Sequence, residues 1–376
     1  MTRFGFISTY PPTRCGLATF TRSLAHALTG PRDAPASIVR MLDEDDNGGP
    51  RADDVCRVVA EIRGNDPAPG RTAASALRGC DVVIVQHEYG IFGGPDGEHV
   101  IAMLEALDVP TIVVLHTILP APLPNQKRVL ERVAALATAV VVMTDHALET
   151  LAVRYDVDLS RVSVIPHGVK MTSVRGIHQP ESVPRVLTWG LLSPGKGLER
   201  GIRALAVLRM RGLRADYIIA GQTHPKVRVK SGEKYRESLA GLARALGVDE
   251  AVQFVDRYLT DDDLSGMLEA ADAVLLPYES HEQATSGVLV EAVAAGVPVV
   301  ATAFPHAVEL LTDGAGTAVG HDDLAGMADA LESILTGHQS AVLPPERARG
   351  SVGVSWPEVA SRYAVLAGRL QTERAA

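Results

Sequence analysis

Residues 274–302 read VLLPYESHEQATSGVLVEAVAAGVPVVAT. The apolar run that ends at Pro277 predicts a buried strand, and the polar, glycine-containing stretch after it predicts a loop. The apolar segment from Val288 to Ala295 predicts a helix with Gly296 as its carboxyl-terminal cap, and VPVVAT predicts the next strand. A strand, a helix and a second strand in this order are typical of a parallel pair, so the polar loop should lie at the carboxyl edge of a parallel sheet.

The start of this predicted helix has the chemistry of an anion site. Thr285, Ser286 and Gly287 come directly before it, where free backbone N–H groups and the positive end of the helix dipole favour a phosphate. One turn into the helix, Glu291 is the single carboxylate of an apolar segment. A buried charge needs hydrogen-bond donors, which a ribose diol would supply. From this segment alone, a half-exposed helix glutamate is an equally good interpretation.

Length and composition indicate a two-domain chain without membrane features. Its 376 residues exceed the ~250–300 at which single hydrophobic cores stop growing. Apolar residues make up 46% and charged residues 22%, which is ordinary for a globular protein. No run of about 18 apolar residues occurs, and MTRFGFISTY lacks the basic start and long apolar core of a signal peptide. We therefore expect a cytoplasmic protein with no transmembrane segment, and peripheral membrane contact stays open.

Cysteine content and net charge narrow the possible partners. Cys15, Cys56 and Cys80 are odd in number and lack the spacing of metal ligands, which argues against a disulfide scaffold or a zinc site. The net charge of −9 disfavours nucleic acid as a partner. It does not exclude an anionic small ligand, because phosphate sites depend on local N–H groups and single lysines.

Strand and helix patterns alternate along the chain, which is typical of α/β proteins. The first series of apolar runs is FGFIST, ASIVRML, DVVIVQH, TIVVLH, AVVVMT and VSVIPHG, and the second is RVLTWG, DYIIAG, VQFVD, AVLLPY and VPVVAT. They predict two parallel-sheet domains, at residues 1–170 and 184–356, with Met171 to Pro184 as the linker. An amphipathic terminal helix, at about 357–376, is a candidate for packing back onto the first domain.

Two such halves, with the Glu291 segment in the second, resemble the GT-B glycosyltransferases, and specifically the retaining family 4 of the carbohydrate classification. The resemblance implies two Rossmann-like domains that face each other across a cleft. The family's phosphate loop G-R-L-x-x-x-K-G is similar to residues 190–197, GLLSPGKG. Gly190 and Lys196 are thereby implied to bind the donor, the lysine as a point charge on the diphosphate. Leu191 stands where the family has arginine, which removes a bidentate clamp.

The family's paired glutamates, separated by seven residues, correspond to Gln283 and Glu291. By this resemblance Glu291 holds the nucleotide ribose, and Gln283 lies beside the donor sugar as a catalytic residue. Glutamine keeps the length and hydrogen-bonding capacity of glutamate but not its charge. The neighbouring Glu282 is the alternative contact, and the register favours Gln283. The backbone amides implied to meet the sugar and the diphosphate are those of Ser286, Gly287 and Val288.

The first domain is implied to bring the acceptor. Gly16, in a turn before a helix, is similar to the family's glycine-rich first loop and is assigned to donor binding. His116, at the carboxyl end of a predicted strand, has the context of a family histidine that contacts donor and acceptor, and it is a catalytic candidate. In the second domain, Arg257 resembles a residue near the nucleobase. The acceptor-side candidates, from another strand-end loop, are His87, Glu88 and Tyr89.

The resemblance therefore implies a retaining enzyme that moves a hexose from a UDP- or GDP-sugar to a hydroxyl acceptor: a sugar, a glycolipid or a small molecule. The nucleoside diphosphate sugar is a co-substrate. No other cofactor and no metal are expected, because Lys196 and the helix N-terminus can supply the positive potential. Two alternatives stay open: a catalytically silent nucleotide- or carbohydrate-binding subunit, suggested by Leu191 and Gln283, and another GT-B enzyme such as a sugar-nucleotide epimerase or a phosphorylase.

Overall fold

A computed structural model describes residues 2–30, 34–43, 48–49, 52–170, 183–312, 314–337 and 354–375. The chain forms two compact units. Unit 1 comprises Met1–Gly168 and Val354–Ala376, and unit 2 comprises Val169–Gly353. All but the last two residues of the predicted linker, Met171 to Pro184, lie outside the described residues.

Unit 1 is built on a seven-stranded parallel sheet. Its strands are β1 (Phe4–Ser8), β2 (Ala36–Leu42), β3 (Cys56–Arg63), β4 (Val82–His87), β5 (Thr111–Leu115), β6 (Ala139–Val142) and β7 (Val162–Val164), and a two-residue strand, β8 (Gly168–Val169), follows them. Its helices are α1 (Gly16–Leu28), α2 (Pro69–Leu77), α3 (His99–Ala106), α4 (Pro124–Leu136) and α5 (Asp145–Arg154), with 3-10 turns at Pro95–Gly97 and Leu159–Arg161. The strand order is β3-β2-β1-β4-β5-β6-β7.

Unit 2 is built on a six-stranded parallel sheet in the order β11-β10-β9-β12-β13-β14. These strands are β9 (Arg185–Trp189), β10 (Asp216–Ala220), β11 (Val252–Val255), β12 (Ala273–Leu276), β13 (Val299–Thr302) and β14 (Gly316–Val319). The helices are α6 (Leu198–Met210), α7 (Pro225–Ser231), α8 (Lys234–Ala245), α9 (Asp261–Ala270), α10 (Gly287–Ala294), α11 (Pro305–Leu311) and α12 (Leu324–Leu335), with a 3-10 turn at Asp249–Ala251. The predicted α/β class is confirmed.

The chain ends in unit 1 with β15 (Val354–Ser355) and a twenty-residue helix, α13 (Trp356–Ala375). Tyr363 and Leu370 of this helix share a buried cluster with Phe6 of β1 and Leu24 of α1. Burying a large apolar side chain contributes about 1.5–3 kcal/mol, so this cluster holds α13 on unit 1. None of the described helices is both long enough and apolar enough to cross a membrane.

Two strands of the parallel sheets, β3 and β14, were not predicted from the sequence. Both lie at sheet edges, where a strand is covered less completely than in the sheet centre. In β3 the residues Arg57 and Glu61 interrupt the apolar pattern, and three of the four residues of β14 are exposed or only partly buried. A central parallel strand is buried on both faces, so its sequence is a continuous apolar run. An edge strand is less completely buried, and its sequence can include polar residues.

Candidate functional site

Two loops of unit 2 meet at the carboxyl ends of the neighbouring strands β9 and β12. The N–H of Glu279 donates to the carbonyl oxygen of Gly195 at 2.9 Å. Gly197 has a φ of +62°, and a Cβ atom at this position would lie 1.8 Å from the carbonyl oxygen of Pro277. A side chain is therefore excluded there by both backbone conformation and space. The predicted phosphate loop, residues 190–197, is thus held against the loop that leads into α10.

Lys196 lies on an aromatic support within this pair of loops. Its ammonium nitrogen is 4.1 Å from the ring centroid of Tyr278, which is cation–π geometry. The Tyr278 ring is 1% exposed and stacks on Phe304 with the centroids 5.4 Å apart. Gly190, the other predicted residue of the loop, donates its N–H to the carbonyl oxygen of Ala220 at 3.0 Å. The loop is therefore held to β10 at Gly190, and Lys196 lies near the other end of the loop.

Helix α10 begins at Gly287, one residue earlier than predicted, and Ser286 is its N-cap. The Ser286 hydroxyl accepts the N–H of Leu289, whereas the N–H of Ser286 itself donates to Nδ1 of His306 at 2.8 Å. The prediction that this amide meets the diphosphate is therefore corrected, because the amide already has a partner. Gly287 and Val288 are the first two helical residues, whose N–H groups have no acceptor within a helix. They stay the candidates for contacting a phosphate.

Glu291 lies one turn into α10 and is half-buried. Burial is the main cause that raises the pKa of its carboxyl group to about 7; a hydrogen bond from the Trp189 side chain lowers this pKa, and the charge of Asp261 makes a smaller contribution that raises it. The ligand-free carboxyl group therefore changes its protonation state near neutral pH. Additional donors, such as the hydroxyl groups of a ribose, would favour the charged form.

Gln283 lies on the same loop, three residues before the N-cap. Its side-chain NH₂ donates to the carbonyl oxygen of Thr285 at 3.2 Å, and its backbone carbonyl oxygen accepts the N–H of His306 at 3.3 Å. The side chain is partly buried, whereas that of the alternative residue Glu282 is exposed. Part of the hydrogen-bonding capacity of the Gln283 amide is therefore used to shape the loop.

Arg257 follows β11, two strands away from β9 in the sheet. Its guanidinium forms an ion pair with Asp263 at 2.7 Å. Hydrogen bonds from the backbone and hydroxyl of Thr260, together with Arg257, hold the pKa of Asp263 at about 2. The arginine is thereby fastened to the first turn of α9. Its contact with a nucleobase stays a prediction.

In unit 1, Gly16 is the first residue of α1 and is exposed. Cys15 caps the helix, because its Sγ accepts the N–H of Ala18 at 3.4 Å. A Cβ atom added at Gly16 would have no heavy atom within 4 Å. The fold therefore does not require glycine here, and the helix start is open to a ligand.

His116 follows β5 and is a neutral residue. Burial lowers its pKa to about 3, with His167 and His87 contributing in the same direction. Its Nε2 lies 2.6 Å from the side-chain oxygen of Gln86, so the pairing assigns the ring proton to Nε2. The ring also makes an edge contact with Phe20 at 4.9 Å between centroids. Gln86 is itself fully buried in β4, one residue before the end of the strand.

The three acceptor-side candidates divide into one core residue and two accessible ones. His87 is the last residue of β4 and is fully buried, so the prediction that it lines an acceptor pocket is wrong. The strand runs through this position and turns the ring into the protein. Glu88 accepts a hydrogen bond from the hydroxyl of Thr117, and Tyr89 donates its hydroxyl to the carbonyl oxygen of Gln126 at 3.4 Å. Both are half-buried and stay candidates.

Among the described residues, one group could offer metal ligands: His26, Asp53 and Cys56, with ligand atoms within 4.8 Å of one another. Asp53 already accepts hydrogen bonds from the Tyr10 hydroxyl and from the N–H groups of Val55 and Cys56, and its Oδ2 also lies 3.0 Å from Nε2 of His26. Burial raises the pKa of the Cys56 thiol to about 11, which opposes the thiolate that a metal requires. This group is better described as a hydrogen-bonded network.

Two Rossmann-like units in one chain, the second with the predicted phosphate loop and the loop into α10 at the carboxyl edge of its sheet, are the architecture of the GT-B class. The family model described as Glycosyltransferase Family 4 matches residues 15–172, and the model described as Glycosyl transferases group 1 matches residues 172–349. The chain belongs to the GT-B glycosyltransferases of family 4, as the motif resemblance implied.

Curated relatives and solved structures agree with this placement. The D-inositol 3-phosphate glycosyltransferase of Actinosynnema mirum is 32% identical over 216 residues, which are 54% of this chain and 50% of that protein. That of Corynebacterium efficiens is 31% identical over 253 residues, 61% of this chain and 56% of that protein. The chain thus spans about half the length of these relatives.

Two solved structures share the fold over nearly the whole chain. Sucrose-phosphate synthase from Thermosynechococcus elongatus has a TM-score of 0.79 at 18% identity, with 99% of this chain and 100% of that chain covered. A UDP-forming α,α-trehalose-phosphate synthase from Burkholderia xenovorans, in complex with glucose-6-phosphate, has a TM-score of 0.74 at 14% identity, with 97% and 100% covered. At these identities the likeness shows the fold alone.

Proposed function

We propose that this chain is a retaining glycosyltransferase that moves a hexose from a UDP- or GDP-sugar to a hydroxyl acceptor. One observation carries the proposal: three groups suited to a nucleoside diphosphate converge at the carboxyl edge of the unit 2 sheet. Lys196 offers a positive charge, the first amides of α10 offer N–H donors, and Glu291 offers an acceptor for a ribose diol.

These groups support a mechanism that needs no protein base. The bond between the anomeric carbon and the diphosphate oxygen breaks, and the acceptor oxygen forms a bond to the same face of that carbon. The acceptor proton passes to an oxygen of the leaving diphosphate. Lys196 and the amides of Gly287 and Val288 stabilise the negative charge that grows on this group. We propose that the reaction proceeds without a metal for the same reason.

Unit 1 is proposed to supply the acceptor side. His116 is neutral because burial lowers its pKa to about 3, so it would act as a hydrogen-bonding partner of a sugar hydroxyl rather than as a cation. Glu88 and Tyr89 are the further candidates. The names of the relatives, which specify D-inositol 3-phosphate, support a phosphorylated polyol as the first acceptor class to test.

A catalytically silent nucleotide-binding subunit is the second candidate. It is favoured by the side chain of Gln283, which donates to Thr285 within its own loop and carries no charge. Leu191, in place of the family's arginine, removes one cationic contact to a diphosphate.

Incubation with labelled UDP- and GDP-hexoses tests the proposal directly. The acceptor panel contains inositol phosphates, hexose phosphates and their unphosphorylated counterparts, and NMR of the product reports the anomeric configuration. We expect transfer with retention, and its loss in Glu291→Ala but not in Lys234→Ala, a substitution of an exposed lysine at the start of α8. Nucleotide binding without turnover across the panel would instead establish the silent subunit.

A further inference from the structure

The segment from Thr302 to His306, which joins the end of β13 to the first turn of α11, braces the loop between β12 and α10. The Thr302 hydroxyl donates to the carbonyl oxygen of Tyr278 at 2.6 Å, and Phe304 stacks on the Tyr278 ring. His306 contacts the far end of the same loop twice, through its backbone N–H to Gln283 and through its ring to Ser286. Three residues of this short segment therefore hold both ends of the loop.

The His306 ring acts here as a hydrogen-bond acceptor. Its Nδ1 accepts the N–H of Ser286 at 2.8 Å, which requires that this nitrogen carries no proton. The side chain is 5% exposed, so water cannot easily replace it as the partner of that amide. A buried amide without a partner is unfavourable, because it has lost its hydrogen bond to water and gained none in return. The loop consequently depends on an acceptor at this one atom.

This contact determines how the chain enters α10. Ser286 is the N-cap, with extended backbone angles of −137° and 107°, and its hydroxyl accepts the N–H of Leu289. The bond from its N–H to His306 fixes the peptide that directly precedes the helix. The next two amides, those of Gly287 and Val288, are then held in a constant direction without side-chain caps of their own.

We propose that His306 is a positioning residue for the donor diphosphate, which acts by holding the Ser286 amide so that the Gly287 and Val288 amides point at the ligand. This inference rests on the proposed function, because it assigns those amides to the diphosphate. Such a role requires a hydrogen-bond acceptor at the position of Nδ1. An apolar side chain of similar volume would not be sufficient.

The test compares His306→Asn with His306→Leu. Asparagine places its side-chain oxygen near the position of Nδ1, whereas leucine fills a similar volume without an acceptor. Binding of UDP and GDP is measured by calorimetry, and kcat and KM for transfer are measured separately. We expect His306→Asn to stay within a few-fold of the parent, and His306→Leu to lose on the order of tenfold in nucleotide affinity and more in kcat.

A matched control separates positioning from general destabilisation of α11. Leu311→Ala removes a buried side chain at the other end of the same helix and keeps both His306 contacts, so it should lower the melting temperature and leave nucleotide affinity unchanged. Equal nucleotide affinity in His306→Leu and the parent would overturn the inference. If the leucine variant does not fold, a loss of tenfold or more in His306→Asn overturns it instead.

The outcome also distinguishes this inference from the proposed function. If the parent protein binds UDP or GDP but transfers nothing, the transferase proposal fails, and His306 is still judged by the binding series. If the parent transfers hexose and His306→Leu does so equally well, only the inference fails. If the parent neither binds a nucleotide nor transfers hexose, both are overturned.

Discussion

The ammonium nitrogen of Lys196 lies 4.1 Å from the ring centroid of Tyr278. The two residues belong to different loops, one after β9 and the other after β12, so the contact joins the predicted phosphate loop to the loop that leads into α10. Because the Tyr278 ring is buried and stacks on Phe304, the lysine rests on a rigid surface. A charge held in this way needs little reorganisation when a diphosphate arrives or leaves.

Lys196→Ala should therefore reduce turnover by on the order of 100–1,000-fold and weaken nucleotide binding much less. The reason is that the lysine's largest contribution is made to charge that develops on the leaving group. Single-turnover rates and calorimetric affinities for UDP or GDP separate the two effects. Lys234→Ala, at the exposed start of α8, serves as the control, and equal turnover by Lys196→Ala and this control would remove Lys196 from the mechanism.

Nucleotide affinity should rise with pH through the pKa of Glu291. In the ligand-free chain that pKa lies near 7, above its ordinary 4.5, because the charged form is desolvated. Ribose hydroxyls that donate to the carboxylate lower the pKa, so binding releases a proton and becomes tighter as pH increases. Between about pH 6 and pH 8 the carboxylate fraction grows about tenfold, which is the largest gain in affinity that this group can give.

Glu291→Gln is the control for this pH dependence. The amide cannot titrate, so any remaining slope belongs to the nucleotide's own phosphate. We expect the variant to bind more weakly than the parent at pH 8, by about 1.5–3 kcal/mol per hydrogen bond lost to a charged group. Parallel pH profiles for parent and variant would show that Glu291 does not hold the ribose.

Gln283→Glu should lower the transfer rate although it restores the commoner family residue. The parent side chain donates to the carbonyl oxygen of Thr285, and a carboxylate at this position would face that oxygen without a proton to share. It would also add negative charge near the diphosphate. Donor hydrolysis and transfer are measured for both forms, with Glu282→Gln as the exposed neighbour control. A gain in rate would favour a decayed site and the silent-subunit alternative.

Gly16→Ala should impair donor use without weakening the fold. An added Cβ meets no protein atom within 4 Å, and alanine can stabilise a compatible position by about 0.4–1 kcal/mol through the unfolded state. The methyl group would instead obstruct a ligand at the helix start, with an expected loss of about tenfold in kcat/KM. Gly79→Ala, where the added Cβ is equally uncrowded, is the matched control. Full activity in Gly16→Ala would end its assignment to donor binding.

The protein should lose stability in acid through its buried histidines. His87 is fully buried, and burial lowers its pKa from 6.5 to about 4. Between these two pH values the unfolded chain binds a proton at this residue and the folded chain does not. The free energy of unfolding is therefore unaffected by this group above pH 6.5, and it decreases by ~3 kcal/mol as the pH drops from 6.5 towards 4. His116 and His167 act in the same direction.

His87→Leu tests this assignment. Neither ring nitrogen of His87 has a hydrogen-bond partner among the described residues, so an apolar side chain of similar size should stabilise the fold by about 1–3 kcal/mol. Urea unfolding of parent and variant is compared at pH 7 and pH 4.5. The variant should show a smaller decrease between the two, and an unchanged decrease would contradict the assignment.

Much of the fold could be read from the sequence because its central parallel strands are buried on both faces. The strand before Pro277 and the helix with Glu291 appear within one residue of where the pattern placed them, and Gly296 has the positive φ, +72°, that is common after the end of a helix. The edge strands β3 and β14 were not predicted, because they are less completely buried and their sequences lack a continuous apolar run.

The sequence by itself determined the α/β class, the family and the loops that carry Lys196 and Glu291, because motif spacing and strand periodicity are local properties. Only the tertiary structure decided which groups within those loops are available. It paired the Ser286 amide with His306, twenty residues away, and buried His87 completely. Hydrogen-bond partners and burial depend on residues that are distant along the chain, and no local pattern records them.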